Sequence, residues 1–165
     1  MCDRMFVGVA GKSFFNLGGG SNYLCLPLDP ESPGGAEPGE QIGAQLYGVE
    51  YEGNAHSPLH LLHNQEVPCA VCDASAARPD LLMIPARLTC PDGWLLEYDG
   101  YLASQHYTEQ TAEFICLSFG MEATRGSNAS NVNGGTLYVV EAVCGALPCP
   151  PYVGGNEIAC AVCTK

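Results

Sequence analysis

Hydrophobic positions come in short bursts, separated by clusters of Gly, Pro, Asn and Asp. The bursts are NYLCLPL (residues 22–28), LYGVEY (46–51), LLMIP (81–85), WLLEY (94–98), EFICLSF (113–119) and TLYVVEAV (136–143). Each is the length of a strand, and most are rich in β-branched or aromatic residues. Leu46, Val49 and Tyr51 hint at the alternation of a half-buried strand. No window long enough for a helix carries an i, i+3, i+4, i+7 stripe. Twenty Gly and twelve Pro would interrupt long helices in any case. The pattern predicts an all-β chain with long ordered loops and little helix, allowing one short helical turn near Asp73 to Arg78.

The bursts repeat. LYGVE (46–50) recurs as LYVVE (137–141), and CAVC (69–72) recurs as CAVC (160–163). The offset is 91 residues in each case (69 to 160, 72 to 163), and Cys25 and Cys116 obey it too. Upstream the match slips by one residue, setting Gly8 opposite Gly100 and Phe15 opposite Tyr107. The two longest loops, 29–40 and 120–135, fall at the same place in each copy and are built from turn-forming residues. A repeat on this scale predicts two tandem homologous cysteine-rich β subdomains packed as one unit. The first spans 1–88 and is incomplete at its start; the second spans 89–165, with the boundary near Arg87 to Cys90.

Charge narrows the partners. Six Lys+Arg against 18 Asp+Glu give a formal charge of −12. Such a chain repels phosphate backbones and anionic membrane surfaces, so no nucleic acid and no membrane insertion are expected. No apolar run approaches the ~18 residues of a membrane helix. Asp29, Glu31, Glu37 and Glu40 make a short acidic loop. They lack the ligand spacing of a calcium site, and a solvated surface is the plainer reading.

Ten cysteines in two copies too short to bury large cores point to an oxidising compartment and a disulfide framework. No secretory signal precedes them, so either a leader is missing or the chain is cytosolic and its thiols do something else. Asn128-Ala129-Ser130 is a glycosylation sequon in a loop-like stretch. C-x-x-C has two rival readings. A redox pair needs a strand-turn-helix setting, whereas both motifs lie in strand-like sequence. A zinc site from Cys69, Cys72, Cys160 and Cys163 would span far more than the ~15–20 residues usual between such pairs. As disulfides, the two cysteines of each motif must find separate, distant partners. Cys90 and Cys116 are the candidates in the second copy, and Cys25 with Cys2 in the first. Cys144 and Cys149 are near enough to pair locally. Which sulfur meets which stays open.

GGGSNYLCLP (18–27), VPCAVC, Met83 to Leu102 and LPCPPYVGGNEIACAVCTK (147–165) are similar to a known family. The chain resembles, over nearly its whole length, the C-terminal non-collagenous domain of sponge-type (spongin-like) short-chain collagens and related invertebrate extracellular proteins. The resemblance implies a secreted, disulfide-bonded, matrix-associated module, with matrix proteins or glycans as partners and a homo-oligomer as an open option. It supplies no catalytic residues. The chain departs from the family in lacking a Gly-X-Y repeat, hence any triple helix, and in its segment before Val7.

Other chemistry is sparse. His56, His60 and His63 have a spacing that would suit a metal on a helix, but Pro58 and the missing helical pattern argue for loop histidines; His106 stands alone. Ser13, Ser21 and Ser118 lack a nucleophile elbow. Glu50 and Glu141 occupy equivalent places, where a strand-edge acid facing backbone or water is the simple reading. Tyr47, Tyr51, Trp94, Tyr98, Tyr101 and Tyr107 are the candidates for carbohydrate stacking, against a core-packing role. The sequence therefore predicts a non-enzymatic extracellular-matrix module without cofactor or metal, the alternative being a lectin-like recognition module.

Overall fold

The computed structural model describes residues 3–32, 43–74, 78–132 and 134–165. Among these, nine strands form: β1 (Asp3–Lys12), β2 (Leu24–Pro27), β3 (Tyr47–Tyr51), β4 (Pro68–Asp73), β5 (Leu81–Pro85), β6 (Leu95–Ser104), β7 (Ile115–Ser118), β8 (Gly135–Val139) and β9 (Ala159–Thr164). Every apolar burst of the sequence contributes a strand, and both CAVC motifs lie within strands. The all-β expectation holds. Hydrogen bonds join the strands in the order β2-β1-β3-β8-β6-β9-β5, with β4 on β1 and β7 on β6.

One helical feature is described, a 3-10 turn at His60–Leu62. It is not where the sequence suggested one. Asp73 ends β4, and residues 75–77 of the suggested stretch lie outside the described residues. The turn forms where Ser57 Oγ accepts from the Leu59 N–H, and Leu59 is fully buried. A buried anchor thus decides the local backbone.

Two sets of three strands pair alike. β1 pairs with β2 through Gly8↔Pro27 to Gly11↔Leu24, and β6 with β7 through Gly100↔Ser118 to Ala103↔Ile115. β1 and β4 run antiparallel with a bulge between Arg4 and Phe6; β6 and β9 do so with a bulge between Leu96 and Tyr98. Gly8 and Gly100 explain why glycine stands at both places. A Cβ at Gly8 would fall 1.9 Å from the Leu26 carbonyl oxygen, and one at Gly100 would fall 1.8 Å from that of Leu117. The isolated bridges Glu50↔Glu66 and Glu141↔Glu157 match as well. The opening segment is strand from Asp3 onward.

β3 and β8 run parallel and join the two sets, in the register Val49↔Gly135 to Tyr51↔Leu137. Gly134 permits the approach, since a Cβ there would lie 2.2 Å from the Gly48 carbonyl oxygen. β5 precedes residue 89 but pairs with β9, from Leu81↔Thr164 to Pro85↔Cys160. The main core draws on both halves of the chain: Ala10, Val49, Tyr51, Leu59 and Val67 meet Ala103, Leu117 and Leu137. A smaller cluster of Leu102, Cys116, Cys160 and Val162 lies between β6, β7 and β9. The strands therefore pack as one unit around a shared interior.

Candidate functional site

The cysteines are oxidised. Cys25 bonds Cys69 and Cys116 bonds Cys160, each over 44 residues with Cα atoms 5.7 Å apart. Cys90 bonds Cys163, and Cys144 bonds Cys149. Cys72 is disulfide-bonded too, while Cys2 lies outside the described residues. No described cysteine is free. These bonds consume the sulfurs that zinc or redox chemistry would need. The two cysteines of each C-x-x-C are three residues apart on a strand, so they face opposite sides and reach different partners. Cys160 and Cys163 are both fully buried, and bridges in such a place resist reductant longest.

A second constellation lies where the two strand sets meet. Lys12, at the end of β1, is 1% exposed. Its Nζ donates to Gln105 Oε1 and lies 5.8 Å from the centre of the Tyr23 ring. The Gln105 amide donates to the carbonyls of Phe15 (2.8 Å) and Gln110 (2.9 Å). Tyr23 donates to the Thr136 carbonyl at 2.9 Å, and the Thr136 hydroxyl donates to Glu109 Oε2. Glu52, also buried, meets His63 Nδ1 at 3.1 Å. Burial sets the electrostatics here. It lowers the Lys12 pKa against the opposing charge of Glu109. It raises Tyr23, with help from Glu109, and pushes Tyr138 up to about 12, with help from Glu52 and Glu109. Glu52 is raised by burial, which outweighs the lowering by His63. Sequence reasoning passed over Lys12, Gln105, Glu109 and Thr136. The available signal was a lysine closing the apolar run VGVAGK in a chain with only six Lys and Arg.

The expected ligand aromatics do not assemble. Tyr51 is 1% exposed, packs in the main core and donates to the Glu122 carbonyl at 2.9 Å, so it is not available to a ligand. Tyr47 packs on Phe14, and Tyr101 meets Phe119 edge-on. Tyr98 donates to the Cys116 carbonyl at 3.2 Å, and Trp94 is half-buried where it closes the turn just before β6. Tyr107 alone stands clear, 90% exposed against the ring of His106 at 4.4 Å.

The remaining candidates scatter. His56 is exposed, His60 Nδ1 contacts the Ser57 carbonyl, and His63 is taken by Glu52, so the three do not converge. Ser13 Oγ donates to the Gly20 carbonyl, Ser118 Oγ accepts from the Gly120 N–H, and Ser21 is exposed. Glu50 is buried and accepts from the Val132 N–H at 3.1 Å, whereas Glu141 is exposed. Asp29 and Glu31 are exposed; Glu37 and Glu40 lie outside the described residues. Asn128 is exposed, and its side-chain oxygen accepts from the Ser130 N–H at 3.1 Å. Among the described residues no group of three or more His, Cys, Asp and Glu could hold a metal ion. No described helix is long and apolar enough to cross a membrane.

These features define a small all-β protein braced by disulfides. Comparison with protein-family models, with curated proteins and with solved structures finds no match to this chain.

Proposed function

We propose that the chain is an extracellular, non-enzymatic structural module of the matrix, built from two tandem copies (1–88 and 89–165) and resembling the terminal domain of spongin-like collagens. The observation that carries the reading is the paired bridge pattern. Cys25–Cys69 and Cys116–Cys160 tie equivalent strands at equal spacing, and such bonds persist only in an oxidising compartment. Matching registers and twin glycines support the duplication. Exposed Asn128 supports passage through a glycosylating compartment. The test is expression behind a secretion leader in animal cells. The expected product is a secreted protein whose gel mobility shifts on enzymatic removal of N-glycans, a shift abolished in Asn128→Gln. Retention in the cell with reduced cysteines would contradict the reading.

One observation favours a second role, recognition of glycans. Tyr107 presents an exposed ring backed by His106, a geometry suited to stacking on a sugar face. A glycan array distinguishes the roles. Binding that is lost in Tyr107→Ala supports recognition, and silence across the array favours the purely structural module.

A further inference from the structure

Lys12 is the odd residue of the interior. A buried ammonium is costly unless a carboxylate meets it, and the described residues place no carboxylate within ion-pair distance of its Nζ. Its contact is instead the side-chain carbonyl of Gln105, 93 residues away in sequence. That carboxamide cannot turn away, because both protons of its nitrogen are taken by the carbonyls of Phe15 and Gln110. Gly135 packs against the root of the lysine side chain, where a Cβ would crowd the Lys12 Cβ at 3.0 Å. A buried amine is thus held on the oxygen of the acyl group it would attack, the arrangement that turns a bimolecular reaction into an intramolecular one.

We propose that Lys12 and Gln105 are joined by an isopeptide bond that the folded chain forms in itself, with release of ammonia. Burial favours the neutral amine, which is the nucleophilic form. The Lys12 Nζ lone pair adds to Gln105 Cδ, and a proton from Nζ passes to Gln105 Nε2. The Cδ–Nε2 bond then breaks, and ammonia leaves past the Phe15 and Gln110 carbonyls that held it. Glu109 lies beyond ion-pair distance of Nζ, acts on it through its charge and is held by the Thr136 hydroxyl, so a proton it relays passes through water. Atoms balance without any oxidant or cofactor: an amine and a primary amide become a secondary amide and ammonia. The product removes the buried charge. It also ties the end of β1 to the residue after β6. The four bridges with both partners described each lie within one half of the chain, so this bond would fasten the halves to each other.

Mass spectrometry of the full-length folded protein, denatured and fully reduced just before injection, tests the proposal. The expected mass is below the sequence mass by one ammonia, and proteolysis should release a branched peptide containing both Lys12 and Gln105. Lys12→Arg should retain the ammonia. The full sequence mass, with Lys12 and Gln105 in separate unmodified peptides, would overturn the proposal. So would a loss of ammonia that fragmentation places elsewhere, such as ring closure at an Asn. In Glu109→Gln, shown by peptide mapping to carry its disulfides, the ammonia should be retained; loss to the wild-type extent would remove Glu109 from the step.

Discussion

Gly8 and Gly100 carry a sharp prediction at the level of single residues. Both sit where a side chain would run into a neighbouring carbonyl oxygen. Gly8→Ala and Gly100→Ala should each cost about 2 kcal/mol or more, read as a lower urea midpoint. Gly48→Ala, with open space around the new methyl, should be near neutral. Equal effects at all three would contradict the packing described. Thr164 offers a pH-dependent test. Its hydroxyl donates to Glu97 Oε1 at 2.7 Å and is the main reason the Glu97 pKa lies below the ordinary glutamate value. A carboxyl lowered in the folded state stabilises above its unfolded pKa, and that contribution is lost as pH falls through the folded pKa. In Thr164→Val the Glu97 titration, followed by NMR, should move up toward the ordinary range. An unmoved curve would mean the hydrogen bond is not its cause. At this scale the sequence was only partly legible. Tyr51 read as a possible ligand residue because aromatic type does not reveal burial; only the pairing of β3 between neighbours puts three successive residues, Val49, Glu50 and Tyr51, inside. Lys12 and Gln105 meet only through tertiary pairing, so no local pattern announced them.

At the scale of elements, the strands were legible because each apolar burst is bounded by breakers and has strand length. β1 was the exception. Its segment before Val7 is weakly patterned, and pairing with β4, from Asp3↔Asp73 to Val9↔Pro68, makes it a strand. The 3-10 turn at His60–Leu62 was not legible for a related reason, since the burial of Leu59 outweighs local propensity. Cysteine partners could be narrowed by the repeat but not assigned, because sulfur pairing depends on which strands become neighbours. The bridges differ in expected weight. Removing Cys116–Cys160, which spans 44 residues, should cost about 4 kcal/mol from lost loop-closure entropy. Removing Cys144–Cys149, which spans 5, should cost about 2 kcal/mol. Paired Cys→Ala variants compared by chemical denaturation check the ranking, and a larger loss at the short bridge would contradict it.

For the whole molecule, the balance is between a modest core and many covalent ties. The main core unites a few residues from each half, and its largest fully buried apolar side chains are Tyr51, Leu59, Leu137 and Val49. Many large apolar side chains remain outside, Leu81 at 70% and Leu61 at 77% exposure among them. A chain with 18 acidic and six basic residues also repels itself when compact. Covalent bracing therefore supplies much of the stability, and a strong reductant should lower the melting temperature markedly. The measurement that bears most directly on this account is non-reducing peptide mapping of the protein purified from an oxidising compartment with free thiols blocked. The account predicts linked peptides for Cys25–Cys69, Cys90–Cys163, Cys116–Cys160 and Cys144–Cys149, with Cys72 also oxidised. Blocked free thiols at these positions, or a different set of partners, would contradict it.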